Sequence, residues 1–144
     1  MYHKPYASLL LSNGDHLVRL YAKAAILAYQ KIITERVDPQ LAWERAVESL
    51  TESFQAQKKV CPKETFLGLA FAGYLFDVEA TPTARLDGVL RRRAVNAANA
   101  LIDSPELGKK ELSEVLGYVD KQGSYDIVIE LARQGILQQP QSTG

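Results

Sequence analysis

The sequence carries few of the residues that do chemistry. It holds a single cysteine, Cys61, and two histidines, His3 and His16, at unrelated spacings. One thiol excludes an internal disulfide and fits a reducing compartment. One cysteine and two histidines make no zinc pattern. There is no glycine-rich phosphate loop and no nucleophile elbow. No apolar run approaches membrane-spanning length. The run Leu9 to Leu11, behind Lys4 and Pro5, is too short for a secretory leader. An excess of one charge is missing too, since 17 Lys and Arg balance 17 Asp and Glu. Such balance argues against a whole-surface attraction to nucleic acid or anionic membrane and leaves only local patches. These absences predict a cytoplasmic protein with no metal site, no cofactor and no catalytic residues.

What is present is an ordinary globular composition, 47% hydrophobic and 24% charged over 144 residues. That length builds one domain with its own core. The stretch from Cys61 to Leu75 organises it. Pro62 suits a first helical position, Glu64 suits the positive end of the helix dipole, and Gly73 suits a left-handed terminator. Between those ends nearly every residue is apolar or glycine, so no face is left for water. A helix of that kind is buried. It is expected to be a short central helix on which the others pack.

The other elements are also helical by pattern. An N-terminal arm spans residues 1–11, with Tyr2, Tyr6, Leu9 and Leu10 placed to pack on the domain or on a second copy. Ser12 and Asp15 suggest a capped start to a first helix over about 14–37. Its stripe is Leu17, Leu20, Tyr21, Ala24, Leu27, Ala28 and Ile32. Asp38 and Pro39 open a second helix with Trp43, Val47, Leu50 and Phe54 on one face. Gln55 to Val60 reads as a polar connector, and Phe76-Asp77-Val78 as a strand fragment or a buried loop. Thr81-Pro82 opens a fourth helix carried to Ile102, with Leu86, Val89, Leu90, Ala94, Ala97, Ala98 and Leu101 inward. A fifth runs from Glu106 to Leu116, and a sixth carries Tyr125, Ile127, Val128, Leu131 and Ala132 up to Gly135.

The expectation is therefore an all-α protein, a bundle of about six helices around a short buried central one, with a helix-turn-helix-like C-terminal hairpin. The single helical domain covers 12–137, and 138–144 is expected to be a disordered tail. Leu69-Ala70-Phe71-Ala72-Gly73-Tyr74-Leu75 is echoed by Leu131-Ala132-Arg133-Gln134-Gly135-Ile136-Leu137. We read the echo as two uses of one glycine-ended helix terminus rather than as a duplication.

Cys61-Pro62-Lys63 followed by Phe66-Leu67-Gly68-Leu69 resembles the signature of a family of small bacterial proteins of uncharacterised function. In that family a Cys-Pro-(Lys/Arg)-x-x-Phe-Leu-Gly-Leu segment follows a helix with an Ala-Trp pair, here Ala42-Trp43. Its members end with an Asp-Ile/Val-Val helix and a Gly-apolar-apolar terminus, here Asp126-Ile127-Val128 and Gly135-Ile136-Leu137. The likeness covers most of 15–137. After Leu69 the family usually continues with cysteine and a polar residue, where this chain has Ala70-Phe71-Ala72. The resemblance implies a fold and supplies no activity.

Candidate chemistry is sparse. Cys61 at a helix start, near Lys58, Lys59 and Lys63, has a setting that favours a thiolate, but no histidine base is fixed beside it. The simpler reading is a structural cap. The pairs Glu44 with Glu48 and Glu111 with Glu114 sit at helical spacing opposite apolar stripes, as solvated faces do. Arg91-Arg92-Arg93, with Arg85 upstream, is the densest positive run, suited to an acidic partner or a phosphate. Asp87 and Glu79 stand near enough in sequence to neutralise part of it. The hairpin's second helix offers Tyr125, Asp126, Glu130, Arg133 and Gln134, and its carboxylates would repel DNA phosphates. The expected function is a non-enzymatic protein-interaction module that contacts its partner through Arg85, Arg91, Arg92 and Arg93. A small regulator or inhibitor of a nucleic-acid-handling or defence complex, as an anti-CRISPR protein is, would be one form of it. A nucleic-acid-binding module through the hairpin or Arg91–Arg93 is the alternative, and an enzyme using Cys61 the second. No membrane association is expected, and homo-oligomers are compatible with the pattern.

Overall fold

A computed structural model describes residues 13–120 and 122–140. The N-terminal arm and Ser12 lie outside the described residues, as do 141–144. The helices are α1 (Asn13–Glu35), α2 (Pro39–Leu50), α3 (Phe54–Gln57), α4 (Val60–Ala72), α5 (Val89–Asp103), α6 (Lys109–Leu116) and α7 (Ser124–Arg133). Among the described residues there is no sheet, only one antiparallel bridge between Leu75 and Leu137. The chain is an all-α bundle.

Along α1, Leu20, Tyr21, Ala24, Ala25, Ala28, Tyr29 and Ile32 are buried, at the spacing that puts them on one face. That face packs on α2 and α7. Asp38 caps α2 by accepting the Leu41 N–H at 3.1 Å, and Pro39 takes the first helical position. Trp43 stacks between Tyr21 and Phe66, with ring centroids 6.3 and 5.5 Å away. Its indole N–H is buried with no acceptor among the described residues, a cost of about 1–3 kcal/mol set against a large burial of aromatic surface. The apolar face expected to continue to Leu50 and Phe54 ends earlier. Leu50 is 38% and Phe54 69% exposed, because α2 stops at Leu50 and Ser53 caps a separate turn, α3. Ala56 of that turn is buried, and its carbonyl accepts the Tyr21 hydroxyl at 2.8 Å, so the connector is part of the core.

Helix α4 has Pro62, Thr65, Phe66, Leu67, Gly68, Leu69 and Ala70 buried on all sides. It begins at Val60, so Pro62 stands at the third position rather than the first. That position is still among those whose N–H has no helical acceptor, and proline costs nothing there. Gly73 ends the helix at φ 86°, a left-handed conformation that glycine takes without strain. The Gly73 N–H bonds to the Ala70 carbonyl and the Tyr74 N–H to the Leu69 carbonyl. Against α5 the approach is close: a Cβ on Gly68 would lie 3.0 Å from the Arg91 Cα. The central role expected of α4 is shared. Helix α7 packs on α1, α4, α5 and α6, and with α2 it gives the long α1 its main partners.

Two further starts differ from expectation. Helix α5 begins at Val89, not at Thr81-Pro82. Between Ala84 and Val89 only Leu86 is apolar, too little to seat a helical face, and Asp87-Gly88 breaks the run before Gly88 takes the N-cap. Val89, expected inward, is 52% exposed, while Ala94, Ala97, Ala98 and Leu101 are buried as expected. Helix α6 begins at Lys109 behind Gly108, whose N–H bonds to the Glu111 carboxylate at 3.0 Å.

The echoed termini turn out to face each other. Gly135, at φ 74°, gives its N–H to the Ala132 carbonyl, and Ile136 gives its N–H to that of Leu131, repeating the Gly73 pattern residue for residue. Beyond them Phe76 N–H bonds to the Ile136 carbonyl at 2.8 Å and Gln138 N–H to the Tyr74 carbonyl at 2.9 Å. The two bonds are equivalent under the echo, so a local pseudo-dyad passes through the Leu75–Leu137 bridge. Leu75 is buried there, whereas Phe76 and Asp77 are exposed. Residues 76–78 thus form no independent strand, and of the loop only Val78 is buried. Gln138, expected in the tail, is held by this pairing.

Candidate functional site

Successive residues on a helix are about 100° apart, so Arg91, Arg92 and Arg93 point in three directions. Arg91 faces α4. Its Nε lies 2.7 Å from Glu64 Oε1, its Nη1 donates to the Arg85 carbonyl at 2.8 Å, and its guanidinium sits 5.2 Å from the Phe71 ring centroid. With its side chain 18% exposed, Arg91 ties α4, α5 and the loop before α5 together. It is not free for a partner. Arg93 points the other way, with its guanidinium 3.6 Å from the Tyr118 ring centroid. Arg92, between them, is exposed. Among the described residues no carboxylate lies within ion-pair distance of Arg92 or Arg93. Arg85 is not on the helix: it sits in the preceding loop, its side chain 87% exposed and 3.8 Å from an exposed Asp87. An ion pair that open contributes little. Of the four expected contact residues, the structure thus commits Arg91 inward and leaves Arg85, Arg92 and Arg93 accessible.

The ground under Arg93 is well fixed. Tyr118 meets Tyr125 edge-on with centroids 6.2 Å apart, and the Tyr125 hydroxyl donates to the Tyr118 carbonyl at 2.7 Å. Asp120 accepts the Tyr125 N–H at 2.8 Å and so caps α7 from the turn. Burial pushes the Tyr125 hydroxyl above its ordinary value near 10, Asp120 and Tyr118 push the same way, and Arg93 opposes them. Thr65, Arg93, Tyr118 and Ser124 border a hollow of about 10 Å³. That volume suits one water molecule and is far below what an organic substrate needs.

The hairpin is present as α6, a turn and α7, but α7 is committed to the bundle. Tyr125, Ile127, Val128 and Leu131 are buried. Of its polar residues, Glu130 holds Arg133 at 2.8 Å and Gln134 at 2.9 Å, and Asp126 lies 2.9 Å from the Lys109 ammonium, outside hydrogen-bond alignment. A helix that reads bases presents free donors to a groove. Cys61 is half-buried at the second position of α4. Its carbonyl accepts the Thr65 hydroxyl at 2.8 Å, and no hydrogen bond reaches its sulfur among the described residues. His3 lies outside the described residues, and His16 falls in the first turn of α1. The carboxylate pairs are divided: Glu44 lies 3.8 Å from Lys63, Glu111 caps α6, and Glu48 and Glu114 are exposed. Among the described residues no group of three His, Cys, Asp or Glu side chains is placed to hold a metal ion. None of their helices is long and apolar enough to cross a membrane.

Sequence reasoning missed one feature. A groove of about 620 Å³ opens beside the bridge, bordered by Gly73, Phe76, Asp77, Glu79, Pro82 and Pro140 among others. Phe76 is 58% exposed there, and Asp77 has a left-handed backbone at φ 63°. An aromatic next to an acid, just past a helix-ending glycine, was the available signal, but nothing local told which way the ring would point.

The fold and this surface define a small all-α domain whose accessible features are arginines, an exposed aromatic and carboxylates. The chain belongs to a family of unknown function, DUF6979, whose family model matches residues 18–138. The Cys61–Leu69 segment lies within the match. No curated protein and no solved structure matches the chain.

Proposed function

We propose that the protein is a non-enzymatic interaction module that grips an acidic surface of a partner protein with Arg92 and Arg93. The observation that carries this reading is the state of Arg93. Its guanidinium sits over the Tyr118 ring, 3.6 Å from the centroid, Tyr118's backbone is held by Tyr125, and the charge is unpaired among the described residues. An arginine fixed by stacking has already lost much of the rotamer freedom that binding would otherwise remove. Arg92 adds a second free charge on the same helix. The small volume of the hollow beside Arg93 supports a surface contact rather than a substrate pocket.

The test is site-specific photo-crosslinking from position 92 in cells of the native host, repeated with Arg93→Glu. A defined protein adduct that Arg93→Glu reduces at least about tenfold agrees with the reading, since reversal removes one contact and adds repulsion. Adducts only to nucleic acid, with binding to mixed-sequence DNA or RNA that falls steeply with salt, would move this face to a nucleic-acid role. No adduct at all would remove the arginine face from consideration.

A further inference from the structure

We infer that the groove beside the Leu75–Leu137 bridge is a second docking site, which takes an arginine side chain from a peptide segment of another protein. The guanidinium would lie on Phe76 and be held by Asp77 and Glu79. Three observations carry this. First, the exposed Phe76 is fixed and not loosely hung. Its N–H bonds to the Ile136 carbonyl at 2.8 Å, and its own carbonyl accepts the buried Tyr29 hydroxyl at 2.9 Å. An aromatic residue 58% exposed on a backbone clamped from both sides is tethered at a constant place with its ring accessible to a ligand. Second, the ionisable residues bordering the groove are Asp77 and Glu79, with no cation among them, and neither carboxylate pairs with a Lys or Arg among the described residues. Third, about 620 Å³ is the size of a site for a side chain with a little backbone, bounded by the rigid rings of Pro82 and Pro140.

The combination selects guanidinium over ammonium. A flat cation stacks on a ring face and still presents its edge donors to two carboxylates, which a compact, strongly hydrated ammonium does poorly. Two carboxylates also fall short of a metal site, which needs more ligands.

The experiment uses the whole chain, isotope-labelled for amide NMR, at low ionic strength. It is titrated with a heptapeptide, Gly-Ser-Arg-Leu-Arg-Ser-Gly, and with versions carrying lysine or glutamate in place of both arginines. The arginine peptide is expected to shift the amides of Phe76, Asp77, Glu79, Ala80 and Gln138, the lysine version to bind more weakly, and the glutamate version not at all. Phe76→Ala should weaken binding about fivefold, as a surface cation–π contact implies. Asp77→Asn and Glu79→Gln should each weaken it about threefold, as exposed ion pairs do. Phe76 and Glu79 are exposed, and asparagine tolerates the Asp77 backbone, so all three variants keep the fold. Arg92→Glu should leave peptide binding unchanged, which separates this site from the arginine face. Equal binding of arginine and lysine peptides, or shifts confined to other residues, would overturn the assignment. So would concentration-dependent shifts at Phe76 without peptide, because a second copy of the chain would then be the occupant.

Discussion

Replacing Gly68 by alanine tests how closely α4 and α5 are fitted. The new methyl group would lie 3.0 Å from the Arg91 Cα, 3.1 Å from its Cβ and 3.2 Å from its carbonyl oxygen. Two of those three are backbone atoms inside a helix, so no side chain can swing aside and α5 must shift as a body. Such a shift also strains the 2.7 Å contact between Arg91 and Glu64, the main polar tie between the same helices. Overpacking of this kind costs about 1–3 kcal/mol. Against it stands about 1 kcal/mol gained by alanine over glycine in a helix interior. The net expectation is a loss of about 1 kcal/mol, and of about 3 kcal/mol or more for Gly68→Val, whose branched side chain adds further overlap. Urea unfolding followed by far-UV circular dichroism measures it. The midpoint should fall by about 0.5 M for alanine, given the usual denaturant slopes. A Gly68→Ala protein as stable as the wild type, or more so, would show that the interface yields freely and that the close approach is not a constraint.

Glu64→Gln and Arg91→Lys should each destabilise by about 1–2 kcal/mol, and the double mutant by less than their sum, as the coupling in a denaturation-based double-mutant cycle reports. Gly135→Ala should cost about 1–2 kcal/mol, because its φ of 74° strains any residue with a Cβ; thermal melting would show it as a drop of a few degrees. Burial raises the hydroxyls of Tyr21, Tyr29 and Tyr125 above their ordinary value near 10, with Asp77 adding to the effect at Tyr29. The folded state then holds protons that the unfolded state releases, so this contribution to stability is full below pH 10 and is lost as pH climbs through the raised values. Alkaline unfolding should accordingly coincide with the last part of the rise in tyrosinate absorbance, the share of the three buried tyrosines, and Tyr125→Phe should reduce that share and move the unfolding.

Much of the fold was legible because its signals are local. Asp38-Pro39, Gly73, Gly117 and Gly135 each mark a helix end through their own backbone chemistry, and the unbroken run of apolar residues and glycine over 66–70 can only be satisfied by burial. The same reasoning misplaced α5, since Thr81-Pro82 reads alike before a helix and in a loop, and the apolar stripe that decides between them begins later. The candidate surface was harder to read. Three adjacent arginines look equivalent in sequence, yet Glu64 and Phe71 claim one and Tyr118 another, partners that only tertiary packing brings up. Phe76 read as part of a strand fragment or a buried loop for the same reason. A lone aromatic past a helix end is buried or exposed according to what crosses it, and here Ile136 and Gln138 cross through backbone hydrogen bonds and leave Phe76 exposed.

The pairing of Tyr74–Phe76 with Ile136–Gln138 closes the chain into a ring that encloses α5, α6 and α7. Residues 136–138 become a latch on the segment after α4, and one rim of the Phe76 groove, Pro140, hangs from that latch. Whatever frees Gln138 from Tyr74 therefore also loosens the groove's border, and the two amides at the crossing should exchange with solvent as one unit.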